Sequence, residues 1–247
     1  MKSIALITPT HKSILDELEL RRISISIALN SQLPHYFVVP KTLNCTSLEI
    51  QFPNSKFLFL DSEYFTSVQS YNRLLLREEF YLLFKDYMSI LILQTDAFLC
   101  KDITPIQSLG YDYIGAPWHR PFKVSIHKNE FHPNNRRHAL KSRVKVQVGN
   151  GGLSIRNVDS MIKVINFAGT MPYAANVLSG VHNEDLILSY LSRICKLNVP
   201  DVKTSAGIFT ENYWHPQIQI DSIYGFHALG KYQPDLEHRL MDTAYTK

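Results

Sequence analysis

The residues best suited to chemistry stand in four short clusters: Gln94-Thr95-Asp96, Gly149-Asn150-Gly151-Gly152, Asn183-Glu184-Asp185 and Gly225-Phe226-His227. Asp96 follows the apolar run Ile90 to Leu93, within the stretch Ser89 to Cys100, SILILQTDAFLC. A carboxylate at the end of a buried parallel strand is where an open α/β sheet meets a metal or a nucleotide. It serves equally to begin a turn or cap a short helix. The glycines between 149 and 152 mark backbone that a neighbour approaches closely, that takes positive φ, or that merely bends. Glu184 and Asp185 are carboxylates able to accept a proton from a hydroxyl, or acids that favour the positive end of a helix dipole. His227 is a metal ligand or a packed histidine beside Phe226.

The elements that must carry these clusters alternate along the chain. Ser3 to Ile7 is an apolar run closed by Thr8-Pro9-Thr10, and Ile14, Leu18, Ile25 and Leu29 then recur at helical spacing up to Asn30. Short strands are expected at Tyr36 to Val39 and Lys56 to Leu60. A helix over about Ser70 to Lys85, with Leu76, Phe80, Leu83 and Phe84 on one face and Arg73, Arg77 and Glu78 on another, leads into the strand before Asp96. This alternation predicts a doubly wound, mostly parallel sheet flanked by helices. No glycine-rich dinucleotide or P-loop fingerprint follows these strands, so any phosphate is neutralised by other means. Later, Tyr111 to Trp118 reads as a short strand and turn, and Val144 to Val148 as an exposed strand. Asn157 is expected to cap a helix that stops at Gly169. Another helix opens at Asn183-Glu184-Asp185 with Ile187, Tyr190, Leu191 and Ile194 buried.

With 247 residues, 45% hydrophobic and 19% charged, the chain is expected to form one α/β domain, residues 1–247, without long disordered tails. Cys45, Cys100 and Cys195 lack metal-ligand spacing and suit a reducing compartment. The opening MKSIALITPTHK is too short in apolar residues for a signal peptide, and no stretch is long enough to span a bilayer. A cytoplasmic protein is therefore expected. The net charge of +4 is uneven: residues 120–145 hold eight Lys and Arg against the single acid Glu130, with His127, His132 and His138. This segment reads as an exposed loop that is solvated or attracts phosphates on a nucleotide, a lipid-linked acceptor or a membrane surface. No nucleic-acid-binding motif accompanies it. Arg21 and Arg22 read as solvated helix residues.

In their order along the chain the clusters resemble glycosyltransferases of the GT-A fold. The resemblance is strongest to a bacterial branch described as a domain of unknown function, which shares the Gln-Thr-Asp, Tyr-Ile-Gly-Ala-Pro-Trp, Gly-Asn-Gly-Gly-Leu-Ser, Asn-Glu-Asp and Gly-Phe-His stretches. The resemblance implies sugar transfer from a nucleotide sugar, UDP-linked in the first instance, to a glycan or lipid-linked glycan in surface polysaccharide synthesis. Residues 1–100 would be the nucleotide-binding half and 101–247 the acceptor side. It assigns Mn²⁺ or Mg²⁺ to Asp96 and His227, with Gln94 replacing the first acid of Asp-x-Asp, so that an amide carbonyl stands where a charge would be. Donor contacts would come from Thr8, Pro9, Thr10, Arg73, Arg77, Gln94, Thr95, Asp96 and Lys231. Acceptor contacts would come from Trp118, Asn150, Gly151, Gly152 and Glu184, with Trp214 a second stacking ring and Asp185 the base. A base presumes inversion; the same stretches also resemble retaining glycogenin-type and bacterial galactosyltransferases. The rival from another class is a nucleotide-sugar or glycan-binding module without turnover, and a third is a basic scaffold that binds no nucleotide.

Overall fold

The computed structural model describes residues 2–133, 144–211 and 215–245. The first half runs β1 (Lys2–Pro9), α1 (Glu17–Leu29), β2 (His35–Pro40), α2 (Thr46–Gln51), β3 (Lys56–Leu60), α3 (Val68–Leu75), α4 (Glu78–Leu82) and β4 (Tyr87–Leu93). Then come β5 (Ala97–Leu99), α5 (Thr104–Gln107), β6 (Tyr113–His127), β7 (Glu130–Pro133) and β8 (Val144–Asn157). The chain finishes with α6 (Val158–Gly169), α7 (Ala174–Val177), α8 (Glu184–Ile194), α9 (Val202–Ile208), β9 (Phe209–Thr210), β10 (Gly225–His227), α10 (Leu229–Tyr232) and α11 (Pro234–Tyr245).

Seven strands form the main sheet in the order β3-β2-β1-β4-β8-β6-β7. The first four are parallel, as expected, with Ile7 beside Ile92 and Ile7 beside Tyr36. The apolar runs of β1 and β4 are covered on both faces, so Ile4 to Ile7 and Ile90 to Leu93 are sealed from solvent, whereas β3 at the sheet edge is partly exposed. The far end of the sheet is antiparallel, because β8 returns along β4, and β6 and β7 follow as a meander. A small sheet, β5-β10-β9, packs beside it. Among the described residues no helix is long and apolar enough to cross a membrane.

Several local expectations change. The helix expected over 70–85 is two, because Arg77 is extended (φ −108°, ψ 137°); Tyr81 reaches back across the break and donates to Leu75 O at 3.0 Å. Leu83 consequently faces solvent. Residues 120–133 are not a loop. β6 continues to His127, a two-residue turn at Lys128 and Asn129 with positive φ joins it to β7, and Val124, Phe131 and Val146 are buried in the core. The rest of the basic segment, residues 134–143, lies outside the described residues, as does Trp214. Helix α1 begins at Glu17, capped by Asp16, which leaves Ile14 exposed. Arg22 is not solvated: its guanidinium makes a two-pronged, buried pair with Glu237 of α11, while Arg21 pairs with Asp242 at the surface. Ile194, at the end of α8, is partly exposed.

Candidate functional site

A cavity of about 540 Å³ opens at the carboxyl ends of β1 and β4. These strands are adjacent, and the crossovers that follow them leave on opposite sides, which is the crevice where open α/β sheets take ligands. Pro9, Thr10, His11 and Lys12 line one wall and Gln94, Thr95 and Asp96 another, with Phe65, Tyr71 and Glu19 closing the space. Glu19 is fixed by the capping box of α1: its Oε2 accepts from Asp16 N at 3.1 Å while Asp16 accepts from Glu19 N. Its other oxygen accepts from Lys12 Nζ at 2.7 Å and from Thr95 Oγ1 at 2.6 Å. The first and last segments of the cavity wall are thereby tied together.

Asp96 begins the turn out of β4, and the pairing of β5 with β10 places His227 opposite Ala97, next to it in the ladder. Ala228, left-handed at φ 53°, turns the chain away and donates its N–H to Asp96 O at 2.9 Å. Side chains then meet across the same gap, His227 Nε2 lying 3.3 Å from Asp96 Oδ1. On the other ring edge His227 Nδ1 lies 3.6 Å from Glu211 Oε1. Glu211 Oε2 accepts from Asn150 Nδ2 at 3.0 Å, and Asn150 Oδ1 accepts from Gly152 N at 3.1 Å, closing a polar ring around the imidazole. Burial works against a charged His227, yet the hydrogen bond to Asp96 and the charges of Asp96, Glu211 and Asp185 hold its pKa above the ordinary value. Burial likewise opposes ionisation of Asp96, but His227 outweighs it and holds the carboxyl low.

The glycines of β8 are needed for close approach. Between the pairs Gly115–Ser154 and Ala116–Asn150 the two strands fall out of register in a bulge that holds Gly151 and Gly152, and Gly152 O accepts from Gln94 N at 3.0 Å. A Cβ on Gly152 would stand 2.0 Å from His227 Nε2, and one on Gly151 2.4 Å from Glu184 Oε1.

Helix α8 brings the second pair of acids to this bulge. Asp185 accepts from Gly151 N at 3.2 Å and from Leu186 N at 2.6 Å. Burial and then the neighbouring Glu184 charge push its pKa up to about 7, against the two N–H bonds and Arg156. A half-buried carboxyl poised there is suited to exchange protons near neutrality. Glu184 has a different job from the acceptor contact expected of it. It is buried, and its Oε1 accepts from Arg156 Nη2 at 2.9 Å. Arg156 is wholly enclosed, and its other donors reach Ser154 Oγ and Tyr81 OH, each at 3.0 Å.

The structure thus brings Pro9, Thr10, Gln94, Thr95, Asp96, Asn150, Gly151, Gly152, Asp185 and His227 into one region, and leaves others apart. Thr8 is buried, its hydroxyl 2.9 Å from His35 Nε2, because alternate residues of a strand face opposite sides. Arg73 pairs with Glu63, and Arg77 with Glu79, both beside the Tyr64 ring and off the cavity wall. Trp118 packs edge-on against Phe122, and Lys231 is exposed on α10, 5.7 Å from the Tyr232 ring. Sequence reasoning missed Lys12, Glu19, Arg156 and Glu211. The Asp16-x-x-Glu19 spacing is a readable capping signature. Nothing near Glu211 announces its role.

As metal ligands, Asp96 and His227 offer a carboxylate oxygen and an imidazole nitrogen at a separation compatible with one ion, since two bonds of about 2.1 Å at a right angle put donors about 3 Å apart. Glu211 is on the opposite ring edge, and among the described residues no set of three or more His, Cys, Asp or Glu is arranged to hold a metal. Two protein donors fit an ion whose remaining positions are filled by water and ligand phosphates, as suits Mg²⁺ or Mn²⁺.

The fold is similar to that of the galactosyltransferase LgtC, solved with donor and acceptor sugar analogues (13% identity, TM-score 0.57, covering 98% of this chain and 95% of that one). It is also similar to mouse xyloside xylosyltransferase 1 in its apo form (10% identity, TM-score 0.53, covering 91% and 97%). The apo bifunctional glycosyltransferase WbbM aligns at 11% identity and TM-score 0.49 over 92% of this chain, which spans 45% of the WbbM length. LgtC and the xylosyltransferase are GT-A glycosyltransferases, and the similarity to these two establishes the fold class. No curated protein sequence matches the chain. Residues 54–226 match the family described as protein of unknown function (DUF5672), and to that family the chain belongs.

Proposed function

We propose that the chain transfers a sugar from a nucleotide-sugar donor, UDP-linked in the first instance, to a hydroxyl of a glycan or lipid-linked glycan, with inversion at the anomeric carbon. The observation that carries this reading is the adjacency of a proton-exchanging carboxyl, Asp185, to the Asp96–His227 pair across the Gly151-Gly152 bulge, beside a cavity at the sheet's switch point. The donor occupies that cavity among residues of the first hundred, and the acceptor approaches from β8 and α8. Asp185 takes the proton from the acceptor hydroxyl as its oxygen bonds to the anomeric carbon and the bond to the nucleoside diphosphate breaks. Such a positioned base contributes roughly 10²- to 10⁴-fold. Mg²⁺ or Mn²⁺ held by Asp96 and His227 would neutralise the departing diphosphate. Lys12, anchored by Glu19 at the cavity wall, adds a cation on the same side. Glu184 and Arg156 hold the start of α8 against the bulge so that Asp185 is aimed correctly.

The test is a thermal-shift screen of UDP and UDP-sugars with and without Mn²⁺, followed by transfer assays and NMR of the product linkage. A ligand at 100 times its Kd raises apparent stability by about 2.7 kcal/mol. Asp185→Asn is expected to keep donor binding and lose transfer. Full turnover in that variant, or retention of anomeric configuration, overturns the base assignment. Donor binding without transfer or hydrolysis favours the binding-module reading, which the amide at Gln94 supports.

A further inference from the structure

His227 Nδ1 is buried and has no hydrogen-bond partner among the described residues; Glu211 Oε1 lies 3.6 Å from it. The small sheet sets this placement. Strands β9 and β10 run parallel with Thr210 beside Phe226, so the next residues of the two strands, Glu211 and His227, leave the ladder side by side. At 3.6 Å the contact is one of charge and not a formed hydrogen bond, yet it discriminates between the two forms of the neutral ring. A ring N–H faces the carboxylate favourably, whereas a ring lone pair would face an anion in a largely buried place. The other ring edge differs, because Asp96, 3.3 Å from Nε2, is half exposed and solvent or a ligand can meet a lone pair there. Glu211 is itself held. Its Oε2 accepts from Asn150 Nδ2 at 3.0 Å, and Asn150 Oδ1 accepts from Gly152 N at 3.1 Å. A backbone N–H only donates and a carboxylate only accepts, so the Asn150 amide cannot be turned round.

We propose that Glu211 is a positioning residue that keeps the proton of the neutral His227 ring on Nδ1 and so leaves the Nε2 lone pair for a cation beside Asp96; the cation rests on the transferase reading above. A histidine that ligates a metal characteristically gives its other N–H to a carboxylate or carbonyl, which fixes tautomer and ring orientation. The same geometry dictates the effect of an isosteric change. In Glu211→Gln the Asn150 amide still offers Nδ2 and meets the new carbonyl, which leaves the new NH2 pointed at His227 Nδ1. A donor there demands a lone pair on Nδ1, and the ring proton passes to Nε2. Adding Asn150→Asp supplies a carboxylate that accepts from both Gly152 N and the new NH2. The new carbonyl then turns to Nδ1 and the proton returns, at the total charge of the parent.

The experiment is nitrogen NMR of the full, metal-free chain with isotope-labelled histidine, at alkaline pH where the ring is neutral, the His227 signals being identified by their loss in His227→Gln. The parent and the double variant Glu211→Gln, Asn150→Asp are expected to show a pyrrole-type Nδ1 and a pyridine-type Nε2, and Glu211→Gln alone the reverse. Titration with Mn²⁺ in the presence of UDP, followed by the electron paramagnetic resonance of the free ion, is expected to give an affinity roughly 10- to 100-fold weaker in Glu211→Gln and largely restored in the double variant. The inference is overturned by a pyridine-type Nδ1 in the parent, a result that needs no variant to fold. It is overturned equally by an unchanged ring in Glu211→Gln, or by a Mn²⁺ affinity that does not fall with the change of tautomer. A parent that binds no Mn²⁺ with UDP overturns the metal assignment of the transferase reading, while the exchange of tautomer still establishes Glu211 as the group that places the ring proton.

Discussion

The buried pair Arg156–Glu184 yields the sharpest prediction, because its two halves fail differently. Arg156 is fully enclosed with Glu184 as its carboxylate partner, the remaining contacts being to the neutral oxygens of Ser154, Tyr81 and Gly151. Removing one member of a buried pair costs about 3–5 kcal/mol, since the survivor is left charged away from water. Glu184→Gln keeps the shape and leaves a guanidinium that cannot lose its proton, so lowering the pH gives this variant no escape from the unpaired charge. Arg156→Met leaves a carboxyl, which escapes its charge by taking up a proton. That uptake costs about 1.4 kcal/mol for each pH unit above the ordinary carboxylate range. The cost of Arg156→Met should accordingly shrink by roughly that amount per unit as pH is lowered from 7 to 5. The double variant Arg156→Met, Glu184→Leu should recover most of the loss, because a hydrophobic replacement of a buried pair is often neutral or better. Urea unfolding followed by circular dichroism at both pH values measures all three. A cost below about 1 kcal/mol for Glu184→Gln, or a double variant as unstable as the two singles added, refutes the pair as the support of α8 and returns Glu184 to the pool of acceptor contacts.

Asp185, held at about 7 with the proton still on between 3.8 and 7 in the folded chain, should give transfer that rises with pH through about 7; Glu184→Gln removes one cause of that elevation and should move the limb to lower pH in a rate–pH profile. Its effect on stability has the opposite sense: the folded form holds a proton that the unfolded form has lost, so its contribution is full below 3.8 and fades as pH rises toward 7. His35, pulled down to about 3 by burial, acts in reverse. It is neutral when folded and protonated when unfolded below 6.5, so stability falls with falling pH in that window by at most about 1.4 kcal/mol per unit. The difference between parent and His35→Gln in urea titrations from pH 7 to about 4.5 isolates the effect, and parallel curves refute it. Gly152→Ala forces the His227 ring away from a Cβ that would lie 2.0 Å from Nε2. Transfer and any Mn²⁺-dependent donor binding should drop, whereas Gly169→Ala, at a position open to solvent, should change neither.

Much of the frame is legible in the residues. The runs Ser3–Ile7, Tyr36–Val39, Lys56–Leu60 and Ile90–Leu93 are short, apolar and closed by turn residues, which is the mark of parallel strands, and each is found as a strand, the third at the partly exposed sheet edge. Asn157 caps α6 as its side chain chemistry dictates, and Asp96 stands at a strand end because the apolar run stops there. The basic hairpin reads as a loop because charge density outweighs the buried alternation of Val124, Phe131 and Val146. What only the tertiary structure decided is which polar groups meet. His227 reaches Asp96 through the β5–β10 ladder, Glu211 reaches the other ring edge from the end of β9, and Arg156 turns inward to Glu184 from a strand 28 positions earlier. Strand identity is written in local periodicity, whereas these encounters depend on sheet order, a bulge and the direction of single side chains. Those are set by packing between segments far apart in the chain, so no local run of residues encodes them.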